Sequence, residues 1–352
     1  MNRLNEEENI VCNTIDVFSY VSPILGKSIS EGYLLATKYA PSHYGSFYRK
    51  AEISPDAGSS LYSVVDKLLS RKLNQLLHEQ KPDIIICTHV FAAKLLGRFC
   101  DQLSEIVKFG VVTDYTLHPF WEQTIMDFII APSESVVEEA IKKGIPKDKL
   151  LSLGMPVHEK FLHKIDKRSA RIILGIEDTN SILVMGGSMG FGGIDEIIEN
   201  LDNIEEDFQI LCICGTNTEM KEKIENMSTR KSVYTYGFVN NVEVFMDAAD
   251  CIITKPGGIT VSECLVKNLP MILINPIPGQ EDRNAEFLNS SGAALLVNDE
   301  LTIENAVESF FKETNVKKDL IKNIKNIAKP MAVEEICKLV KEYNTNALIS
   351  TY

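Results

Sequence analysis

Short apolar runs recur along this chain, each followed by a longer amphipathic stretch, and that alternation limits the fold more than any other feature. A short apolar run reads as a buried strand and the stretch after it as a covering helix, so the pattern predicts repeated βα units and parallel sheets. Strands are expected at Asn9–Phe18, Asp83–Thr88, Lys108–Thr113 and Asp127–Ala131, with helices at Ser60–Glu79, Ala92–Leu103 and Ser133–Lys143. The second half repeats the scheme at Ser181–Met185, Gln209–Cys214, Val233–Gly237, Cys251–Thr254, Met271–Ile274 and Ala293–Val297. The length of 352 residues suits two domains. The expected division is an N-terminal domain at 1–157, a linker at 158–170, a second domain at 171–330 and a C-terminal helix or tail at 331–352. The fold class is α/β, two doubly wound domains facing a cleft.

Composition narrows the function. Thirty-six basic residues against 49 acidic ones leave a net charge of −13, which disfavours nucleic acid as a partner. Eight scattered cysteines fit a reducing compartment. The start at Met1 has no apolar core of a signal peptide, and no apolar run is long enough to span a bilayer. A cytoplasmic location is expected. Cys212 and Cys214 share one face of an apolar strand; without a second ligand pair they read as core.

Three segments carry chemistry. Met185-Gly-Gly-Ser-Met-Gly-Phe-Gly-Gly193 joins a strand to a helix, where glycines let the backbone approach an anion. Its spacing matches neither the dinucleotide fingerprint nor the P-loop. Thr254-Lys-Pro-Gly-Gly-Ile-Thr-Val-Ser-Glu263 is the sharper signal: Gly257 and Gly258 form a nest before a helix expected to begin near Thr260. A diphosphate there meets free amides and a positive helix end, while Glu263, placed in the first turn, grips a ribose diol. In Asn275-Pro-Ile-Pro-Gly-Gln-Glu-Asp-Arg-Asn284, Gln280 and Glu281 are placed to bind sugar hydroxyls.

In this order and spacing the three segments resemble the UDP-binding domain of glycosyltransferase family 28. The first half is similar to that family's diacylglycerol glycosyltransferase branch, which includes monogalactosyldiacylglycerol synthases. The residues that carry this likeness are Ile15–Phe18, Tyr39–Pro41, Thr88-His89, Val112–Tyr115, His118–Trp121, Pro132–Glu134 and Gly154–Val157. The resemblance implies a GT-B fold, with an acceptor (lipid)-binding domain at 1–157 and a UDP-sugar-binding domain at 171–330. It implies donor contacts at Gly187, Ser188, Met189, Gly190, Phe238, Val239, Lys255, Pro256, Gly257, Gly258, Ile259, Thr260, Glu263, Gln280, Glu281 and Asn284. The family's first strand and its Gly-Gly-Gly-His-type loop have no counterpart after Met1, so an incomplete N-terminal domain, with further coding sequence upstream, is expected.

The expected chemistry is inverting transfer of a hexose from a UDP-sugar to diacylglycerol or a related glycolipid. Transfer of GlcNAc to a polyprenyl-linked acceptor, or a truncated chain that binds UDP-sugar without catalysis, stays open beside it. The base belongs at a strand end near the acceptor hydroxyl. Asp114 is the first candidate, His89 the second and His118 the third. No D-x-D triplet occurs, so a metal-free departure of UDP and no cofactor are expected. Val21–Lys50 sets Lys27, Lys38, Arg49 and Lys50 against Glu31 among tyrosines and Phe47, a composition suited to peripheral contact with the inner membrane face.

Overall fold

The computed structural model describes residues 2–7, 10–21, 62–187 and 193–349. The chain divides into two compact units, Met1–Pro156 with Met331–Tyr352, and Val157–Pro330.

In the first unit, α1 (Asn2–Asn5), α2 (Val17–Val21) and α3 (Tyr62–Gln80) precede the alternation β1 (Ile84–Cys87), α4 (Val90–Leu96), β2 (Val107–Val111), β3 (Phe128–Ile130), α5 (Glu134–Lys142) and β4 (Leu150–Leu151). The four strands form a parallel sheet in sequence order. Period-two alternation sends Ile129 toward Leu73, Leu76, Ala93, Val136 and Ala140, and Phe109, Val111 and Ile130 to the opposite face. That second face is covered by Leu4 and by Ile336, Cys337 and Val340 of the last helix. The C-terminal helix thus contributes Ile336, Cys337 and Val340 to this unit's core.

The strand expected at Asn9–Phe18 does not form in the described residues 10–18. Asn5 takes both backbone groups of Cys12, Oδ1 accepting its N–H at 2.7 Å and Nδ2 donating to its carbonyl at 3.3 Å. Asp16 then starts α2 by accepting from Ser19 N–H at 3.3 Å and from the Ser19 hydroxyl at 2.6 Å. Local side-chain hydrogen bonds outcompete a ladder here. The helix expected at Ala92–Leu103 likewise breaks at Gly97 into a 3-10 stretch, with Phe99 off helical geometry at φ −115° and ψ 20°.

The second unit runs α6 (Lys167–Leu174), β5 (Ser181–Met185), α7 (Ile194–Asp202), β6 (Gln209–Ile213), α8 (Thr218–Glu225), β7 (Val233–Tyr236), α9 (Val242–Ala248), β8 (Cys251–Thr254), α10 (Gly258–Lys267), β9 (Met271–Leu273), α11 (Gln280–Ser290), β10 (Ala294–Leu296), α12 (Ile303–Lys312) and α13 (Thr314–Ile327). The first unit's closing helix, α14, is Ala332–Ile349. The second sheet is parallel in the order β10-β9-β8-β5-β6-β7. Its inner strands β5, β6, β8 and β9 are buried on both faces, which is why they read as continuous apolar runs. Residues 158–170, read from sequence as a linker, hold a 3-10 turn at Glu159–Phe161 and the start of α6. They are fastened to this unit by the buried Lys267–Asp247 pair at 2.7 Å, by Lys267 Nζ on the His163 carbonyl at 2.5 Å and by Ile165 N–H on Asp247 at 3.2 Å.

Candidate functional site

In the second sheet, chain connections run outward from β5 through β6 and β7 on one side and from β8 through β9 and β10 on the other. The order reverses between β5 and β8, and a crevice at such a reversal is where open α/β sheets take ligands. The register aligns the strand ends: Tyr236 pairs with Ile213, Ile213 with Met185, Met185 with Thr254 and Thr254 with Leu273. The expected donor segments, 186–193, 237–239, 255–263 and 274–284, all follow that one row.

Among the helices that begin at this edge, the three that follow β5, β8 and β9 differ in their first turns. The α7 start carries Asp195 and Glu196 behind Gly193 at φ +67°, so carboxylates already meet its positive end. The α11 start is closed by Asp282, which accepts from Gly279 N–H at 3.1 Å, and by Glu281, which accepts from Ile277 N–H at 2.7 Å. The α10 start has no acidic residue in its first turn, and its N-cap residue, Gly257, has no side chain to cap with. Its first amides are offered to an anion with no acid of its own turn among them.

This helix begins at Gly258, two residues before the expected Thr260, and Glu263 consequently lies in its second turn rather than its first. Gly257, in extended backbone at φ −68° and ψ 134°, serves as the N-cap residue, so the helix winds up directly behind it. Lys255, Gly257 and Thr260 are half-buried, Pro256 and Gly258 buried, and Ile259 is 61% exposed. Asn284 is fully buried and donates from Nδ2 to the Pro256 carbonyl at 3.0 Å, so it holds the turn in place. The Glu281 carboxylate reaches the same turn: a Cβ on Gly257 would stand 3.9 Å from Glu281 Oε1. Gln280 is half-buried at the head of α11.

Phe238, past the end of β7, is 63% exposed, an uncommon state for an aromatic ring, with half-buried Val239 beside it. Gly187 adopts φ +80°, a left-handed conformation that favours glycine. Ser188, Met189 and Gly190 lie outside the described residues, as does the segment 22–50 expected at a membrane. Burial pushes the Glu263 carboxyl up to about 7, reinforced by Glu243 and opposed by Lys160. No motif pointed to Lys160 or Glu243, which lie far apart in sequence.

In the first unit, Asp114 is half-buried in a bend beyond β2, followed by buried Tyr115, Thr116 and Leu117. Glu139 of α5 accepts from Leu117 N–H at 2.9 Å, and Lys143, ion-paired to Glu139 at 2.9 Å, donates to the Leu117 carbonyl at 3.0 Å. Gly110 of β2 admits the buried Trp121 ring; a Cβ there would sit 2.4 Å from Trp121 Cζ3. The structure brings His89 and His118 together around Phe91, with ring centroids 5.3 and 5.9 Å from it. Both histidines are helix N-caps: His89 Nδ1 accepts from Phe91 N–H at 3.3 Å and His118 Nδ1 from Phe120 N–H at 3.2 Å. A neutral ring with Nδ1 so engaged carries its proton on Nε2 and offers a donor. Surrounding protein desolvates His89 and lowers its pKa, although the ring keeps an exposed face.

Comparison with known proteins adds the lineage. Residues 1–157 match the family model described as Monogalactosyldiacylglycerol (MGDG) synthase, and residues 181–339 match the Glycosyltransferase family 28 C-terminal domain. A processive diacylglycerol beta-glucosyltransferase of Staphylococcus saprophyticus is 30% identical over 312 residues, which cover 88% of this chain and 77% of that one. The chain belongs to the diacylglycerol glycosyltransferase branch of glycosyltransferase family 28. Solved structures agree on its fold. Acinetobacter baumannii MurG superposes on this glycosyltransferase with a TM-score of 0.62 at 17% identity, covering 78% of this chain and 77% of its own. A Staphylococcus aureus MnaA–UDP structure gives 0.61 at 13% identity, covering 98% and 92%. The family 28 glycosyltransferase thus has the GT-B fold that its sequence predicts. Among the described residues, no helix is long and apolar enough to cross a membrane.

Proposed function

We propose that this glycosyltransferase moves a hexose from a UDP-sugar to diacylglycerol or a related glycolipid, with inversion, at the inner membrane face. The observation that carries the donor half is the α10 start: a glycine-capped helix end with no acid in its own first turn, at the strand-order reversal. A diphosphate placed there is met by the amides of Gly258, Ile259 and Thr260. Phe238 offers an open aromatic face to the base, and Glu263 a carboxylate to the ribose hydroxyls. The names of the relatives, diacylglycerol beta-glucosyltransferase for the sequence match and a UDP complex for a fold match, support the same reading.

On the acceptor side, Asp114 takes the proton as the acceptor oxygen attacks the anomeric carbon and UDP leaves. His89 and His118 spend their Nδ1 lone pairs on helix caps, so each presents Nε2–H and orients the acceptor rather than deprotonating it. Charge on the departing UDP is met by the α10 amides, and no divalent cation is required. The test is UDP release from UDP-glucose and UDP-galactose with and without diacylglycerol liposomes, repeated in EDTA. Release that depends on liposomes and survives EDTA is the expected result. Release indifferent to diacylglycerol overturns the acceptor, and a strict cation requirement overturns the helix-end account.

A further inference from the structure

Lys160 belongs to no motif and lies in the segment expected to be a mere linker. Its Nζ donates to the Asn240 carbonyl at 2.6 Å, pairs with Glu243 Oε2 at 2.8 Å and lies over the Phe161 ring, 5.2 Å from its centroid. Asn240 ends the loop that carries Phe238 and Val239, and Glu243 sits in the first turn of α9, the helix entered from that loop. One ammonium group therefore fastens the loop to the helix behind it. Lys160 is itself held by a 3-10 turn that His158 caps, Nδ1 accepting from Lys160 N–H at 3.2 Å, and that turn packs on α10. The Glu243 side chain is only 19% exposed, so the pair is shielded enough for its geometry to be maintained.

We propose that Lys160 is a positioning residue for the nucleoside half of the donor site, tying the loop of Phe238 and Val239 to α9. This rests on the donor reading above and adds to it a division of labour. The diphosphate half is built from the α10 turn, held by Asn284, and the nucleoside half is held by Lys160 from outside every donor motif. Two charged groups act on Glu263 from neighbouring elements: Lys160 on the 3-10 turn, which favours its ionised form, and Glu243 on α9, which opposes it. Removing Lys160 leaves Glu243 without its partner, so ionisation of Glu263 becomes harder on both counts.

The experiment measures affinity of the full chain for UDP, and for inorganic pyrophosphate as a competitor, in wild type, Lys160→Met and Lys160→Arg. Lys160→Met is expected to weaken UDP about tenfold, the scale of one lost charge-assisted hydrogen bond, while leaving pyrophosphate unchanged. Lys160→Arg is expected to restore most of the loss, because a guanidinium donates to both the carbonyl and the carboxylate. The pH at which UDP binding is half lost should move upward in Lys160→Met. Equal loss of UDP and pyrophosphate, or no loss of either, overturns the proposal, since the first marks general damage and the second an idle contact. A wild-type chain that binds pyrophosphate and UDP equally well overturns the donor reading itself, and this one with it.

Discussion

The two sheets of this protein build their candidate sites from different materials. The second sheet reverses strand order between β5 and β8 and aligns its strand ends in one row, so the backbone supplies much of the site: a glycine-capped helix end and glycine turns. The first sheet runs β1-β2-β3-β4 without a reversal among its described strands, and what gathers at its edge are side chains, Asp114 in a bend and two capping histidines around Phe91. A backbone-built site holds a feature that every donor shares, the diphosphate. A side-chain-built site is suited to chemistry and to choosing an acceptor, because its groups change one residue at a time.

The sharpest way to break this contrast is Asp114→Asn. If the first unit contributes one reacting side chain, kcat should fall by about 10²–10⁴, the usual contribution of a general base, while UDP affinity stays at the wild-type value. Steady-state kinetics with UDP calorimetry separates the two. Near-normal turnover would remove Asp114 as the base.

Next in size is Asn284→Ala, which probes the second unit. Its fully buried amide donates to the Pro256 carbonyl at 3.0 Å, and truncation leaves that carbonyl without this donor in a packed turn. A destabilisation of about 1–3 kcal/mol is expected, with weaker UDP and pyrophosphate binding alike. Denaturant melts and the two titrations check it. Intact pyrophosphate binding would show that the glycine turn holds itself.

Much of this was legible in the sequence, for physical reasons that particular residues make plain. Ser181–Met185 and Cys251–Thr254 appear as strands with the expected bounds, because a run buried on both faces has to be apolar throughout. Asn9–Phe18 misled because Ile10, Cys12 and Ile15 pack against a core while Asn5 and Asp16, side chains that sequence pattern ignores, take its backbone hydrogen bonds. The two-residue β4 is too short to show a period. The glycine turns were visible because only glycine suits them, but which helix starts carry acids of their own depends on Asp195, Glu196 and Asp282, and the fold had to supply their places. Lys160 and Glu243 were invisible, since nothing in spacing links residues so far apart.

A smaller effect sharpens the donor half through pH. The folded-state pKa of Glu263 is raised to about 7 from an ordinary 4.5, so between those values the folded chain binds more protons than the unfolded one. Stability without ligand should therefore fall as pH rises through that window, by an amount on the order of 1–3 kcal/mol, and Glu263→Gln should flatten the fall. UDP binding should run the other way, rising as pH passes upward through about 7, because ribose hydroxyls donate to a carboxylate. Above that pH Glu263→Gln should bind UDP about tenfold more weakly than wild type, and near pH 5.5 the two should match. A pH-independent difference would take the ribose role from Glu263.

The smallest effect tests whether the first unit's histidines act as caps or as bases. Asparagine is among the best N-cap residues, so His89→Asn replaces the Nδ1 acceptor with a side-chain oxygen and keeps α4 started, whereas His89→Ala removes about 1 kcal/mol of cap. If His89 orients and caps, kcat for His89→Asn should stay within about threefold of wild type, and only KM for the acceptor should rise as the Nε2–H donor is lost. If His89 is the base, both variants should lose about 10²-fold or more in kcat, and His89→Asn should fare no better than His89→Ala. The ratio of the two variants is thus more informative than either rate. A ratio near one with both severely impaired would assign the proton transfer to His89 and leave Asp114 as the group that steers it.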